Sequence, residues 1–582
     1  MKLINSNQAK LYFDKIFDLE KNGEKFPVNF NDVWSLAYKR RDNAKRDLKR
    51  DFIENVDINS QLIFTEGDNV LGASDFTQNK ISLYPNPTTS LINFSLNGIE
   101  GTPVRIIDFN GRVVQNTNIS SNNNINVETL TTGIYFVQLQ VENKDVSYTI
   151  HSSTGLSSDT TLPFWLVANQ YGAVPNSDYG LLNTAIFKDY DTPNTLFDIS
   201  YKASATGFIA QENKLLLNEL YLGVRFKNIV LDLGAKNDAV LWDNLSSSNG
   251  NIIKSINARA LPGVNIKTNN FITLPFATSW LEVKANFAHY FMDDTRFVDN
   301  TNLHHKSLYF KTTLSSTFEI IAGIDHYAQW GGSSPDFGTQ PSSFSDYIKV
   351  VFGAEGGDSA TANDQFNALG NHVGAYLLQF NYNKENIGFN FYYSHPFEDT
   401  SGREMTNWLD GLYGVFIDLK KQKALVTHLL TEFTYTKTMS NIPRSASGPD
   451  NYFNNGIYKS GWTYHGNTIG SPYFTPKPVD DNGITSGVIV GDNRFAAINI
   501  GANGFLKSLP YKAMLSHTTY YGWFGQEYDP NPYQFSGILD IVIPQEKFNL
   551  PFDVATSFAF DAGTYRPQNF GAFLSISKTG SF

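Results

Sequence analysis

Successive side chains of a β-strand point to opposite faces, so a strand with one greasy and one wet side shows a two-residue alternation. Over residues 162–582 this pattern recurs strand after strand. Leu281, Val283, Ala285 and Phe287 share one face, and Glu282, Lys284 and Asn286 the other. Ile387, Phe389, Phe391 and Tyr393 oppose Gly388, Asn390, Tyr392 and Ser394, while Phe552, Val554, Thr556, Phe558 and Phe560 oppose Asp553, Ala555 and Ser557. With no helix between them to cover the apolar side, strands of this kind need lipid against it. A closed barrel with a polar lumen meets that need and leaves no backbone edge unpaired. At about 10 residues per spanning strand plus connections, the segment suits roughly 16 to 18 strands. The expected fold is mainly β: an antiparallel transmembrane barrel, preceded by a small β-sandwich and a small helical module.

Composition narrows the alternatives. Aromatic residues make up 14% of the 582-residue chain, as expected where aromatic girdles mark both membrane interfaces. The mean hydropathy of −0.28 fits a barrel, since half of every strand is turned from lipid. No run approaches 18 consecutive apolar residues, so no spanning helix is expected. Cysteine is absent, which removes disulfides, thiolate metal sites and thiol nucleophiles together. A net charge of −11 argues against the whole chain binding nucleic acid.

Residues 1–62 differ from the rest, being charged and helix-favouring. Between Lys39 and Arg50 stand seven basic and two acidic residues. On a helix Arg41, Lys45 and Lys49 share a face, flanked by Arg46 and Arg50, a stripe suited to phosphate contacts. With the preceding Phe26–Trp34, the segment resembles the N-terminal domain of phage antirepressor-type proteins. That resemblance implies nucleic acid as a partner of this module. Residues 63–77 read as a linker rich in Gly, Asp and Asn.

Residues 78–150 read as a small all-β unit. Tyr84-Pro85-Asn86-Pro87 forbids helix. Val104 to Val114 forms a hairpin pattern about Asn110-Gly111, and Gly133 to Gln140 alternates again. In this order the three phrases resemble the type A sorting domain of the type IX secretion system of Bacteroidetes, a β-sandwich read by secretion components. In that family the domain closes the chain; here more than 400 residues follow.

The third segment, 157–582, also carries a resemblance. Leu162–Gly172, Asn257–Pro262, Ile324–Gly332, Phe366–His372 and Ser460–Gly466 look like the Wzi capsule-assembly family in its Bacteroidetes form. The resemblance implies an outer-membrane, cell-surface barrel that binds capsular polysaccharide and helps organise the capsule. Phe582, with Ile576 and Leu574 at even spacing, resembles the signal read by barrel-assembly machinery. The three segments thus carry addresses for three compartments, as a fusion would. Residues 1–8 hold no apolar stretch of secretory length, so no signal peptide is expected. The barrel is weighted most heavily, which gives the outer membrane as the location, with lipid, surface polysaccharide and assembly machinery as partners.

No catalysis is expected. Asp336, Asp346, Glu355, Asp358 and Asp364 crowd one Gly- and Ser-rich stretch, but their spacing fits no EF-hand loop, and they read as solvated acids. His304-His305 reads as a hydrogen-bonding pair, so neither metal nor cofactor is expected. Carbohydrate recognition suits the chain better, because an aromatic ring can face the apolar side of a sugar while amides and acids meet its hydroxyls. Trp330 and Trp462 are the candidate stacking rings. Gln329, His326, Asn367, Tyr464, His465 and Asn467 are the candidate polar contacts. The alternatives are a porin or solute transporter, whose lumen would be lined by Glu282, Lys284, Asn286, Gln379 and Asn381, and a regulator or secreted cargo acting through the N-terminal segments.

Overall fold

The computed structural model describes residues 146–582 apart from 192–195, 278–279, 399, 441–449, 478–488 and 546–548. Ahead of these it describes 83–84, 90–94, 103–108, 113–120, 124–130 and 135–139. The expected antirepressor-like module, its Arg41, Lys45, Arg46, Lys49 and Arg50, and the 63–77 linker lie outside the described residues. The chain divides into two units, Met1–Asn143 and Lys144–Phe582.

Among its described residues the first unit holds two three-stranded antiparallel sheets. One joins Leu83–Tyr84, Leu91–Phe94 and Asn124–Asn126; the other joins Val113–Asn118, Pro103–Asp108 and Tyr135–Leu139. Val104 opposite Thr117 and Ile106 opposite Gln115 confirm the expected hairpin pairing. Its turn, 109–112, is outside the described residues. Ile92 and Ile125 are buried on the first sheet, Val104 and Ile106 on the second.

The second unit is a closed antiparallel barrel of 18 main strands, with two short two-residue pairings inserted beside them. In chain order they are β1 (Ser147–Ser157), β2 (Tyr179–Lys188), β3 (Phe197–Ile209), β4 (Lys214–Phe226), β5 (Ile229–Ala235) and β6 (Pro262–Thr268). Next come β7 (Leu281–Phe291), β8 (Asn302–Ser315), β9 (Phe318–Trp330), β10 (Asn371–Lys384), β11 (Ile387–Phe397) and β12 (Gly411–Asp418). The last six are β13 (His428–Tyr435), β14 (Arg494–Leu506), β15 (Leu509–Trp523), β16 (Tyr533–Ile543), β17 (Asp553–Gly563) and β18 (Asn569–Ser581). Each pairs with its sequence neighbour, and β18 closes on β1 with Ser581 opposite Ser147.

The barrel begins earlier than the expected 157 boundary, and its first strand overlaps the end of the 78–150 segment. The alternation there is muted: the exterior positions of β1 include Ser152 and Thr154 between Ile150 and Leu156.

Faces follow the alternation. Phe287, Phe389 and Phe391 are exposed on the exterior, as are Leu308, Phe433, Ile498, Ile500 and Phe558 on other strands. Inward, Glu282 meets Lys311 at 2.5 Å, Asn390 donates to Asn381 Oδ1 at 2.7 Å, and Gln379 donates to the same oxygen at 2.7 Å. Among the described residues no helix is long and apolar enough to cross a membrane; the strands do so. A charge on this exterior has no water to meet. Phe391→Lys is therefore expected to cost about 2–4 kcal/mol if residue 391 sits near the bilayer midplane. Asn390→Lys, one residue along and turned inward, should cost much less. Urea titration of the two variants in lipid vesicles measures the difference, and equal losses would refute the assignment of faces.

The two ends differ. At the end holding Ser147 and Ser581, residues 227–228, 316–317, 385–386 and 507–508 suffice as turns. At the other end the connections include 158–178, 236–261, 331–370, 398–410 and 436–493. Outer-membrane barrels keep short turns on the periplasmic side and long loops outside, which makes the long-loop end extracellular.

Candidate functional site: the plug and its outer face

Three of the long connections turn into the lumen. From 158–178, which contains the short helix α1 (Phe164–Val167), Leu162, Phe164 and Trp165 are buried; from 236–261, Leu245, Ile252 and Ile253; from 436–493, Tyr452, Phe453, Trp462 and Phe474. They form one cluster with inward residues of the wall such as Leu303, Tyr327, Tyr392, Phe495 and Tyr520. The 236–261 loop runs the length of the lumen. Asp243 Oδ2 lies 2.6 Å from Nδ1 of His428, the first residue of β13 at the short-turn end.

Side chains tie this plug to the wall. Glu432 of β13, fully buried, accepts from Ser246 Oγ (2.5 Å), Ser247 N (2.6 Å) and Tyr392 Oη (2.5 Å). Gly414 leaves room for the Tyr392 ring, which a Cβ there would strike. Asp561 accepts from the Phe164 amide (3.0 Å) and Ser536 Oγ (2.6 Å). Trp165 Nε1 donates to Ser516 Oγ at 3.0 Å.

The plug decides the place of several expected site residues. Trp462 is 0% exposed, its Nε1 donating to Ile253 O at 2.7 Å and its ring edge-on to Tyr327. Gln329 is buried, donating to Gly461 O (3.1 Å) and accepting from Asn371 (2.8 Å). Tyr464 is buried, with its hydroxyl on Asp293. Tyr452, Phe453 and Tyr473 are buried as well. Trp330 and His326 lie on the opposite, exterior face of β9, Trp330 under Tyr347, Val350 and Leu369 of the 331–370 connection and half-buried His326 against His372 of β10 and Phe397 of β11. The assignment of Trp330 and Trp462 as stacking rings, and of Gln329, His326 and Tyr464 as hydroxyl contacts, is therefore corrected. A side chain without accessible surface offers nothing to a polymer, and Trp462, Gln329 and Tyr464 spend their bonds inside the protein; Trp330 and His326 are turned to the exterior of the wall, away from the plug. Asn367 is exposed, but on the exterior connection rather than on the plug.

His465 and Asn467 remain at the surface. They sit on a small hairpin pairing Thr463–Tyr464 with Asn467–Thr468. Its turn bends through positive φ at His465 (47°) and Gly466 (79°). The His465 amide donates to Asp294 Oδ2 at 3.0 Å, and its ring lies 3.7 Å from exposed Asp293. Burial and then nearby Arg259 hold the His465 pKa below the usual imidazole value, so near neutral pH the ring is a neutral donor and acceptor.

A second polar group was not anticipated. Asp492 accepts from Tyr528 Oη and Tyr565 Oη, each at 2.7 Å. Tyr565 stacks on Tyr520 at 3.8 Å, and the Arg494 guanidinium lies 4.0 Å from the Phe524 ring while bonding Glu527 at 3.1 Å. Burial, then the Asp492 carboxylate, raises the Tyr528 pKa to about 12, keeping its hydroxyl a donor. Tyr528 also has an exposed ring. The sequence signal was the run Tyr528-Asp529-Pro530-Asn531-Pro532, a turn-rich aromatic loop between two clear strands.

Of the clustered acids of 331–370, Glu355 and Asp358 are exposed as expected, Asp346 caps a helix with Ser343, Asp336 pairs with Lys459, and Asp364 is buried and accepts from the Gly370 amide at 3.3 Å rather than standing in solvent. Of the histidine pair, His305 faces inward, 2.6 Å from Asp325, and His304 outward. Among the described residues no group of three or more acidic or histidine side chains is placed to hold a metal ion.

The family model for capsule assembly protein Wzi matches residues 111–477, more than half of the chain. The chain belongs to the Wzi capsule assembly family. The match begins inside the segment that resembles a sorting domain, ahead of the expected 157, and covers β1 to β13 and part of the 436–493 connection, with β14 to β18 beyond it. No curated protein matches the chain. Among solved structures it is similar to Wzi, a carbohydrate-binding barrel of the outer membrane involved in group 1 capsule assembly in Escherichia coli. That similarity is at 14% identity with a TM-score of 0.48, over 76% of this chain and 85% of that one. It is also similar to Pseudomonas aeruginosa OccK3 (9% identity, TM-score 0.40, 76% and 96% covered). A third is Acinetobacter baumannii OccAB4 (8%, 0.39, 76% and 100%). As a Wzi-family barrel, the protein is an outer-membrane protein of capsule assembly.

Proposed function

We propose that the extracellular face of the plug binds an acidic or neutral capsular polysaccharide and holds it at the cell surface. The observation that carries this reading is the filled lumen: three loops pack into it, so the outer end presents a polar surface rather than an entrance. His465 and Asn467 supply hydroxyl contacts, and Tyr528 supplies a ring face beside the Asp492 acceptor. Each contact is weak, and avidity comes from repeats of the polymer engaging many barrels.

For the N-terminal segments we infer function from the families their sequences resemble. By that resemblance the two small sheets described between Leu83 and Leu139 would meet type IX secretion components, and the basic residues of 1–62 would meet phosphates.

The test is capsule retention and polysaccharide binding by a triple variant, His465→Ala, Asn467→Ala and Tyr528→Ala. A hot-spot contact is worth roughly 1–3 kcal/mol, so binding should fall about 5- to 150-fold for each contact of that kind, and cells should shed capsule while the barrel still assembles. Full retention of capsule and affinity would end this assignment of the site.

A further inference from the structure

The exterior of the wall across β7 to β10 is not uniformly apolar. His289, Lys306, His326 and His372 project outward there, in step with Phe287, Leu308 and Ile324 on the same strands and with Ala328 across the β9–β10 pairing. His304 joins them, its ring against Phe287. Ionisable groups on the lipid face of such barrels are destabilising, most for Arg or Lys near the midplane and less towards the interfaces. This strip needs a cover.

The 331–370 connection supplies one. It contains α2 (Phe344–Phe352), started by a reciprocal Ser343–Asp346 capping box and stopped by Gly353 in the left-handed region at φ 63°. One side of α2 lies on the wall. Tyr347 Oη is 3.2 Å from His304 Nδ1, and its ring is 5.1 Å from Trp330. Val350 is buried with Ala328 and Trp330, and Val351 O accepts from Lys306 Nζ. A second side carries Phe344, Ile348 and Phe352, spaced i, i+4, i+8, which are 78%, 41% and 78% exposed. At about 100° per residue, Ser345, Asp346 and Lys349 make the third side.

The apolar exposure extends beyond the helix. Phe337 and Phe366, on either flank of α2, are exposed. In the neighbouring 398–410 connection Trp408 and Leu409 are exposed too, their carbonyls accepting from the outward-facing Tyr393 and Tyr413.

We propose that α2 is an interfacial membrane helix. It lies in the outer leaflet on the outside of the barrel, with Phe344, Ile348 and Phe352 among acyl chains and Ser345, Asp346 and Lys349 toward the headgroups. Lipid is the occupant because this surface continues the exposed Phe287, Leu308 and Phe310 of the strands beneath, which is the lipid belt itself. An amphipathic helix with a separate polar side is the form that lies in an interface plane, and a neighbouring exposed Trp matches the aromatic band at that depth.

The absence of cysteine makes the test direct. Ile348→Cys, Phe352→Cys, Ser345→Cys and, as a belt control, Phe391→Cys are labelled with an environment-sensitive fluorophore in full-length protein reconstituted into phosphatidylcholine vesicles. Labels at 348 and 352 should be quenched by lipid-borne nitroxides as at 391, and shielded from aqueous iodide several-fold relative to 345. Equal iodide quenching at 345, 348 and 352 would overturn the proposal. Shielding from iodide without quenching by lipid nitroxides would overturn it as well, because the cover would then be protein.

Discussion

Trp462→Ala is expected to loosen the plug while leaving the barrel wall intact. Removing a buried tryptophan ring costs about 3–5 kcal/mol through lost transfer energy and the cavity left behind. Trp462 joins Ile253 of one lumen loop to Tyr327 of the wall. The cost therefore falls on local opening of the plug. Amides of residues 462, 469 and 471, bonded within the plug to Phe453 O, Trp462 O and Ile252 O, should exchange with solvent about 150- to 5,000-fold faster. Amides of the β14–β15 ladder should be unchanged. Faster exchange throughout the ladder as well would mean that plug and wall open as one unit.

Glu432→Ala should have a different consequence, the appearance of a conducting lumen. In the parent, one carboxyl group accepts from Ser246, Ser247 and Tyr392, and Asn499 lies 3.4 Å away. Deleting it strands several buried donors at once, each at about 1–3 kcal/mol, and all lie where the 236–261 loop meets β11, β13 and β14. The favourable response is for that loop to leave the lumen and let water solvate the stranded groups. Planar-bilayer recordings should show a closed parent, steady conductance for Glu432→Ala, and an intermediate result for Glu432→Gln, which keeps one acceptor oxygen. An alanine variant as silent as the parent would show that the plug stays shut without this tie.

Alternation made the wall legible, because burial in a membrane barrel enforces it on every strand. Leu281 to Phe287 and Phe389 to Phe391 could be assigned to faces from sequence alone. β1 escaped because serine and threonine are tolerated on either face near a barrel rim, so Ser147–Ser157 carried no contrast. The site was less legible, for two separate reasons. One was a misuse of the same rule: Gln329 and Trp330 are adjacent in β9 and must point to opposite sides of the wall, so they cannot serve one site. The other is beyond any periodicity. Whether an aromatic in a loop packs inward, as Trp462 and Tyr452 do, or stands in solvent, as Tyr528 does, depends on where the loop travels after leaving its strand. Loops 236–261 and 436–493 enter the lumen while 331–370 folds over the exterior, and nothing in their composition separates those routes.

The seam between β1 and β18 joins residues far apart in the chain; Thr149 and Thr579, whose hydroxyls meet at 3.1 Å, are separated by 430 positions. The entropy of closing so long a loop grows only with the logarithm of its length, so an insertion of about 40 residues in an extracellular connection adds roughly 0.1 kcal/mol to closure. Ring closure is thus almost indifferent to how long the surface loops become. A lineage can lengthen, shorten or exchange them as its coat polymer changes while the same eighteen-stranded wall continues to assemble.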